Sequence, residues 1–232
     1  SAIGVLDGQV AAVLVVDNAS TEAELAPVAA LAAGGDLELI VNERNVGLAR
    51  ALNQGFEWAR SKGYAWMVTL DQDTMPLPWM IGEAARVYDQ AEGRPIAVIG
   101  AAWARPHHEG DWHREPGRPE ACVIQAGTLY SVRTMTSIGA FRESLFVDFV
   151  DTEYCLRARA ANHEVWRTNR ITVEHDIGLP SGHRTPLGRF RTTNHSSGRR
   201  YYITRNRFWI WRRYALREWR YFLFDLRAAT KD

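Results

Sequence analysis

Cysteine is scarce in this chain: two in 232 residues, Cys122 and Cys155. Two thiols so far apart supply neither a disulfide framework nor the close spacing of a zinc site, and they suit a reducing, cytoplasmic compartment. Long apolar runs are missing too. No stretch approaches the roughly 18 residues that span a bilayer, and the first residues lack the layout of a secretory leader. There is no internal repeat and no low-complexity linker. A glycine-rich, Lys/Arg-bearing phosphate loop after the first strand, as a nucleotidyltransferase needs, is absent as well. Net charge is almost nil, at a formal +1, with 46% hydrophobic and 24% charged residues. That balance excludes a disordered chain and a wholesale polyanion binder, so nucleic acid is not an expected partner. The length fits one domain, or one domain with an appendage.

What charge there is lies unevenly. Between Arg199 and Arg227 nine arginines face only Glu218 and Asp225, a net +7, so a basic tail sits on an acidic body. Tyr201, Tyr202, Phe208, Trp209, Trp211 and Trp219 are interleaved with those arginines. The tail reads as largely helical. Residues 1–197 read as the main domain and 198–232 as a C-terminal Arg/aromatic segment.

Ahead of the tail, strand and helix signals alternate. "VAAVLVVDNAS" (Val10 to Ser20) is a β-branched run ending in polar residues, followed by a helix over Thr21 to Ala33 capped by Ser20 or Thr21. Leu37 to Val41 is a second strand, and "LARALNQGFEWARSKG" an amphipathic helix with Leu48, Leu52, Phe56 and Ala59 on one face and Gly63 as its stop. "YAWMVTL" is a third strand, Pro78 to Gln90 a helix, and Ile96 to Trp103 a fourth strand. This order predicts an α/β fold: a mostly parallel central sheet flanked by helices, with ligands outside the carboxyl ends of the strands. Further on, a strand pair or bent strand over "CVIQAGTLYSV", a helix from about Asp151 to Asn162, and a strand through "VWRTNRITVEHD" are expected, with Tyr130 and Trp166 in the core. His107, His108 and His113, with Glu109 and Asp111, lie in a Pro/Gly-marked stretch that reads as a solvated loop, a metal cluster being the alternative.

Asp17, Asp71 and Asp73 each follow a predicted strand, which brings them toward one crevice. An Asp-x-Asp such as "DQD" caps a turn in most proteins. At a sheet end it can instead ligate Mg²⁺ or Mn²⁺, cations that take carboxylate oxygens together with phosphate, and so neutralise a departing diphosphate.

In order, "VLVVDNAST", "NERNVGLARALNQGFEWA", "VTLDQDTMP", "GAFRESLFVDFVDTEYCLRAR", "EHDIG" and "RRYYITRNRFW" resemble the inverting family 2 glycosyltransferases of the GT-A fold. The nearest resemblance is to bacterial rhamnosyltransferases of O-antigen and related surface polysaccharides, over roughly Gln9 to Tyr214. The resemblance implies that Asp17 and Asn18, with the Asn45, Gly47, Asn53 turn-and-helix element, line the nucleotide pocket. It implies that Asp71 and Asp73 take ribose and a divalent metal, Mg²⁺ or Mn²⁺, with His175 completing the metal or diphosphate site. Asp151 becomes the catalytic base, in a "VDTE" that has Val150 and Glu153 where the family usually has Glu and Asp. Arg205, with Asn206, matches a pair near the diphosphate or acceptor. On the residues alone, Asp151 also reads as a helix cap, His175 as a structural histidine, and Asp148 as the other candidate base.

The same resemblance implies a sugar donor, dTDP-L-rhamnose first, with UDP-hexose or UDP-galactofuranose as the alternative. It also implies a saccharide or polyprenyl-diphosphate-linked acceptor, and a peripheral position on the cytoplasmic face of the inner membrane that the basic aromatic tail would suit. An oligomer is compatible with it. One family element is not visible: the first strand, central in the sheet, has no counterpart in "SAIGVLDGQ". A segment further upstream or one from a neighbouring chain is expected to fill its place.

Overall fold

A short helix, α1 (Ala2–Leu6), precedes the β-branched run, which is extended only over its last four residues, β1 (Leu14–Asp17). The chain is seen in a computed structural model that describes residues 2–104, 116–175, 181–185, 188–192 and 196–229. The His107–His113 stretch lies outside the described residues. Helix α2 (Glu22–Gly34) starts where Thr21 donates both its N–H and its hydroxyl to Glu24. It ends at Gly35, where the left-handed turn returns N–H groups to Ala32 and Leu31. Strand β2 (Glu38–Val41) then lies parallel to β1, Leu14 opposite Glu38 and Asp17 opposite Val41.

Helix α3 (Leu48–Ser61) buries Ala49, Phe56 and Ala59. After it come β3 (Trp66–Thr69), a short β4 (Thr74–Pro76), α4 (Met80–Gln90), β5 (Ile96–Ala104), β6 (Gly117–Pro119) and β7 (Thr128–Ser131). Helices α5 (Val132–Ile138) and α6 (Val150–Ala160), the long β8 (Glu164–His175), a β9 (Ser181–Thr185) and β10 (Gly188–Thr192) hairpin, α7 (Ser197–Tyr214) and α8 (Trp219–Ala229) complete it.

The expected architecture, a central sheet flanked by helices, is present, and its pairing is mixed. The main sheet runs β3-β7-β5-β8-β4, with β6 also on β8. Only β5–β8 is parallel in it, because β7 inserts antiparallel between β3 and β5. One face is covered by α3, α5 and α6 around Tyr130, Phe141 and Tyr154, whose rings meet edge-on or tilted at 5.0 to 5.4 Å. The other is covered by α4 through Ala84 and Val87 against Ile99, Leu129 and Trp166. Two helical layers thus fix the strand ends that carry the acidic residues.

The sheet is divided. Among the described residues β1 pairs only with β2, and β3 only with β7. Between the two facing edges lies an apolar cavity of about 520 Å³, lined by Leu14, Val16, Leu52, Met67 and Leu70 and reaching Asp71 at one end. At the far end of the chain α7 sets Ile210 and Tyr214 against Leu156 of α6. Among the described residues no helix is long and apolar enough to cross a membrane.

Candidate active site

Asp17 closes β1 and is buried, one carboxylate oxygen accepting from the N–H groups of Ala19 and Ser20, both at 3.1 Å. That turn aims Asn18 at the loop after β2. Asn18 donates to the Asn45 side chain at 3.1 Å and accepts from the Val46 N–H at 2.9 Å. Asn45 in turn accepts from the Gly47 N–H at 2.9 Å. Gly47, at φ +86, permits a close approach: a Cβ there would lie 2.5 Å from the Phe146 ring. Asn53, one face around α3, exchanges hydrogen bonds with the Phe141 main chain at 2.9 and 2.8 Å and reaches Glu143. Its amide is therefore committed to holding the segment before Glu143 against α3.

The carboxylates after β3 form a second group. Asp71, Asp73 and His175 each bring one ligating atom within 4.8 Å of the others. The register of the sheet causes this: β4 pairs with the end of β8 so that Thr74 stands opposite His175. Nδ1 of His175 lies 2.9 Å from Thr74 Oγ1 and 3.4 Å from Asp73 Oδ1. Burial raises the pKa of Asp71 and the charge of Asp73 adds to this, while His175, Gln125 and Arg199 pull it down. Two crowded carboxylates beside an imidazole are a donor set that a hard divalent cation fits, since a cation offsets the repulsion that adds to the effect of burial on Asp71.

Asp151 sits on the first turn of α6, where Phe149, not Asp151, occupies the capping position. Its two oxygens accept from the N–H of Thr152 at 2.7 Å and of Gln125 at 3.0 Å. Burial raises its pKa and these two N–H groups oppose the shift. Gln125 is buried, and its side-chain amide faces Asp71 and helps lower that pKa, although Nε2 closes no hydrogen bond of normal length. The turn after it needs Gly127 at φ +74, where a Cβ would meet Val173 at 2.6 Å and Ala101 at 2.8 Å. Before α6 the backbone is strained: Phe146, Asp148 and Phe149 all have positive φ, between 57° and 66°. Helix α7 holds that stretch. The Asn206 side chain, fully buried, donates to the carbonyls of Leu145, Val147 and Asp148 at 2.8 to 2.9 Å. Arg205 donates to Ser144 and Leu145, and Tyr202 stacks on Phe146 at 5.0 Å.

The turn after Asp17 is thus bonded through Asn18 to Asn45, Gly47 lies close against Phe146, Asp151 is bonded to the Gln125 main chain, and Asp71, with Asp73 and His175, feels the Gln125 side chain. Against known proteins, a family model described as glycosyl transferase family 2 matches residues 5–166. The chain belongs to glycosyl transferase family 2. A curated relative, the dTDP-rhamnosyl transferase RfbF of Shigella flexneri, is 29% identical over 196 residues. The alignment takes in 76% of this family 2 chain and 64% of that relative, so the chain spans less than two thirds of its length. Two solved structures share the fold. TarS 1–349 of S. aureus is 17% identical with a TM-score of 0.54, over 72% of this chain and 51% of that one. GalNAc-T7, solved with UDP, GalNAc and Mn²⁺, is 12% identical with a TM-score of 0.55, over 71% and 37%. The fold is that of GT-A glycosyltransferases.

Within this family 2 site, Gln125 had no signal in the sequence, and the partners of Glu153, Asp148 and Arg205 were not legible there. Gln125 lies in an irregular stretch with no periodicity to mark it. Glu153, in the "VDTE" run, is fully buried, accepting from Arg157 at 3.0 Å and from Tyr214 at 2.9 Å, and so ties α6 to α7. Asp148 pairs with Arg199. Arg205, expected near the diphosphate or the acceptor, donates to the main-chain carbonyls of Ser144 and Leu145 and to Asn206.

Proposed function

We propose that the chain transfers L-rhamnose from dTDP-L-rhamnose to a hydroxyl of a saccharide, carried on a lipid diphosphate, with inversion at the anomeric carbon. The observation that carries this is the link through Gln125, which spaces a lone carboxylate, Asp151, from the Asp71, Asp73 and His175 group. The likeness to a dTDP-rhamnosyl transferase supports the choice of sugar. Asp71, Asp73 and His175 would hold Mg²⁺ or Mn²⁺, which supplies charge neutralisation to the diphosphate. Asp17 and the Asn18–Asn45–Gly47 turn cradle the nucleoside. Asp151 accepts the acceptor's hydroxyl proton as that oxygen bonds to the anomeric carbon. The bond from that carbon to the diphosphate oxygen breaks on the opposite face, and its electron pair leaves with the diphosphate. A raised pKa makes Asp151 a stronger base than an ordinary aspartate.

The experiment is a panel of nucleotide sugars (dTDP-L-rhamnose, UDP-glucose, UDP-galactofuranose, GDP-mannose) with Mn²⁺ or Mg²⁺, reading nucleoside diphosphate release and the anomeric configuration of the product by NMR. Release from dTDP-L-rhamnose alone supports the reading. Preference for a UDP sugar moves the donor, and a retained configuration removes Asp151 as base.

A membrane-surface position is part of the same reading. Phe208, Leu216, Trp219, Leu223 and Phe224 of α7, α8 and the turn between them are exposed, Leu216 at 98%, among exposed arginines at 212, 213, 217 and 220. Apolar rings beside guanidinium groups suit the headgroup zone of anionic bilayers. Sedimentation with vesicles containing phosphatidylglycerol tests it; no binding at low salt overturns it.

A further inference from the structure

Arg199 stands where a cation is not favoured. It lies on the first turn of α7, whose free N–H groups already carry partial positive charge, and it is followed by Arg200. No acidic residue occupies that turn. Its guanidinium is held by one carboxylate through two parallel bonds, Nε to Asp148 Oδ2 and Nη2 to Asp148 Oδ1, both at 3.0 Å. Asp148 belongs to the strained stretch before Asp151, at φ +57. The Arg199 side chain remains 48% exposed while Asp148 is only 19% exposed, so the arginine has an open side. Asp71 and Asp73 lie near enough for their charges to act on Arg199, and Arg199 lowers the pKa of Asp71.

We propose that Arg199 is a diphosphate-binding residue kept in reserve by Asp148, and that an arriving nucleoside diphosphate takes the guanidinium over from that carboxylate. The proposal rests on the glycosyltransferase reading. A guanidinium fork bonds a phosphate with the same two-point geometry it uses for a carboxylate, so the exchange keeps both hydrogen bonds. It also removes the local conflict, because an anion beside Arg199 suits the helix N-terminus that the arginine alone does not. Asp148 thereby acts as an internal competitor, and the affinity for a diphosphate is lower than Arg199 and the α7 terminus would otherwise give. An ion pair that merely braces the strained stretch behaves differently: losing either partner then harms binding in the same direction.

The test measures binding of dTDP, UDP and GDP, with Mn²⁺ present and then with EDTA, by calorimetry on the full chain. Arg199→Gln should weaken the diphosphate that the wild type binds by about tenfold or more, in line with loss of a charge-assisted pair, and leave the corresponding nucleoside unaffected. Asp148→Asn keeps the side-chain shape, and Asn tolerates positive φ. It should tighten diphosphate binding severalfold, and this gain should vanish when Arg199→Gln is also present. Weaker binding in both single variants overturns the proposal, as does an equal gain from Asp148→Asn in either background. If wild type and Arg199→Gln bind equally well, only the assignment of Arg199 falls. If no diphosphate binds the wild type, the glycosyltransferase reading falls with it.

Discussion

The main-chain N–H of Gln125 donates to Asp151 Oδ2 at 3.0 Å while the side chain of the same residue faces Asp71. One residue thus sets the spacing between the carboxylate assigned to the acceptor and the pair assigned to the metal. The turn that follows Gln125 is packed tightly at Gly127, where a Cβ would meet Val173 and Ala101.

Asp151→Asn removes the proton acceptor and keeps the hydrogen-bonding shape. Turnover should drop by about 10² to 10⁴, the usual worth of a general base, with nucleoside diphosphate affinity unchanged by calorimetry. An Asp151→Asn enzyme that keeps wild-type turnover ends its assignment as base.

Asp71 is a source of instability at neutral pH, because burial and Asp73 raise its pKa. A raised carboxyl pKa in the folded state means that ionised Asp71 costs stability. The cost is full above the folded pKa and gone below the unfolded one. Asp71→Asn should therefore raise the metal-free melting temperature near pH 7, and the gain should fade as the pH drops toward the ordinary aspartate range. Melting curves between pH 4 and 8 in EDTA check this; a gain that grows on acidification contradicts it.

Mn²⁺ should raise the melting temperature of the wild type, since a cation that binds only the folded protein stabilises it by mass action. In Asp73→Ala and His175→Ala the rise should shrink or vanish. A rise of the same size in both variants would separate the metal from this cluster.

Asn206→Leu should destabilise the protein by about 2–4 kcal/mol, because three buried carbonyls before α6 lose their donor. Urea unfolding measures it. A surviving fraction should show a lower kcat with little change in donor KM, since the strained stretch that leads into Asp151 is then no longer held.

Gly47→Ala meets two obstacles at once, a positive φ and the Phe146 ring at 2.5 Å. A cost of about 1–3 kcal/mol is expected from the backbone alone, with weaker nucleotide binding because Asn45 and Phe146 shift together. Unchanged stability in this variant would mean that the ring moves freely, against its stacking on Tyr202.

Much of this was legible before any coordinates. The helices over Glu22–Gly34, Leu48–Ser61 and Met80–Gln90 lie where capping and periodicity put them, and Tyr130 and Trp166 are in the core. The strand ending in Asp17 is shorter than its apolar run suggests: only Leu14–Asp17 pair with β2, and the residues from Val10 to Val13 line the cavity. Strand direction was not legible: β7 lies between β3 and β5, and nothing local in "TLYS" states that it runs antiparallel to both. Spacing also could not separate a guanidinium that meets a carboxylate from one that meets carbonyls. Arg199 and Arg205 sit on the same helix, yet one reaches Asp148 and the other the backbone of Ser144 and Leu145.

The seam between β1 and β3 has a practical consequence. Each bordering strand offers a row of amide and carbonyl groups to any extended polypeptide that comes by, and the oily walls between them reward whatever enters. In a concentrated solution of this chain, the partner at hand is another molecule of itself. Work at high dilution, or with mild detergent, is therefore the sensible starting condition for every assay above.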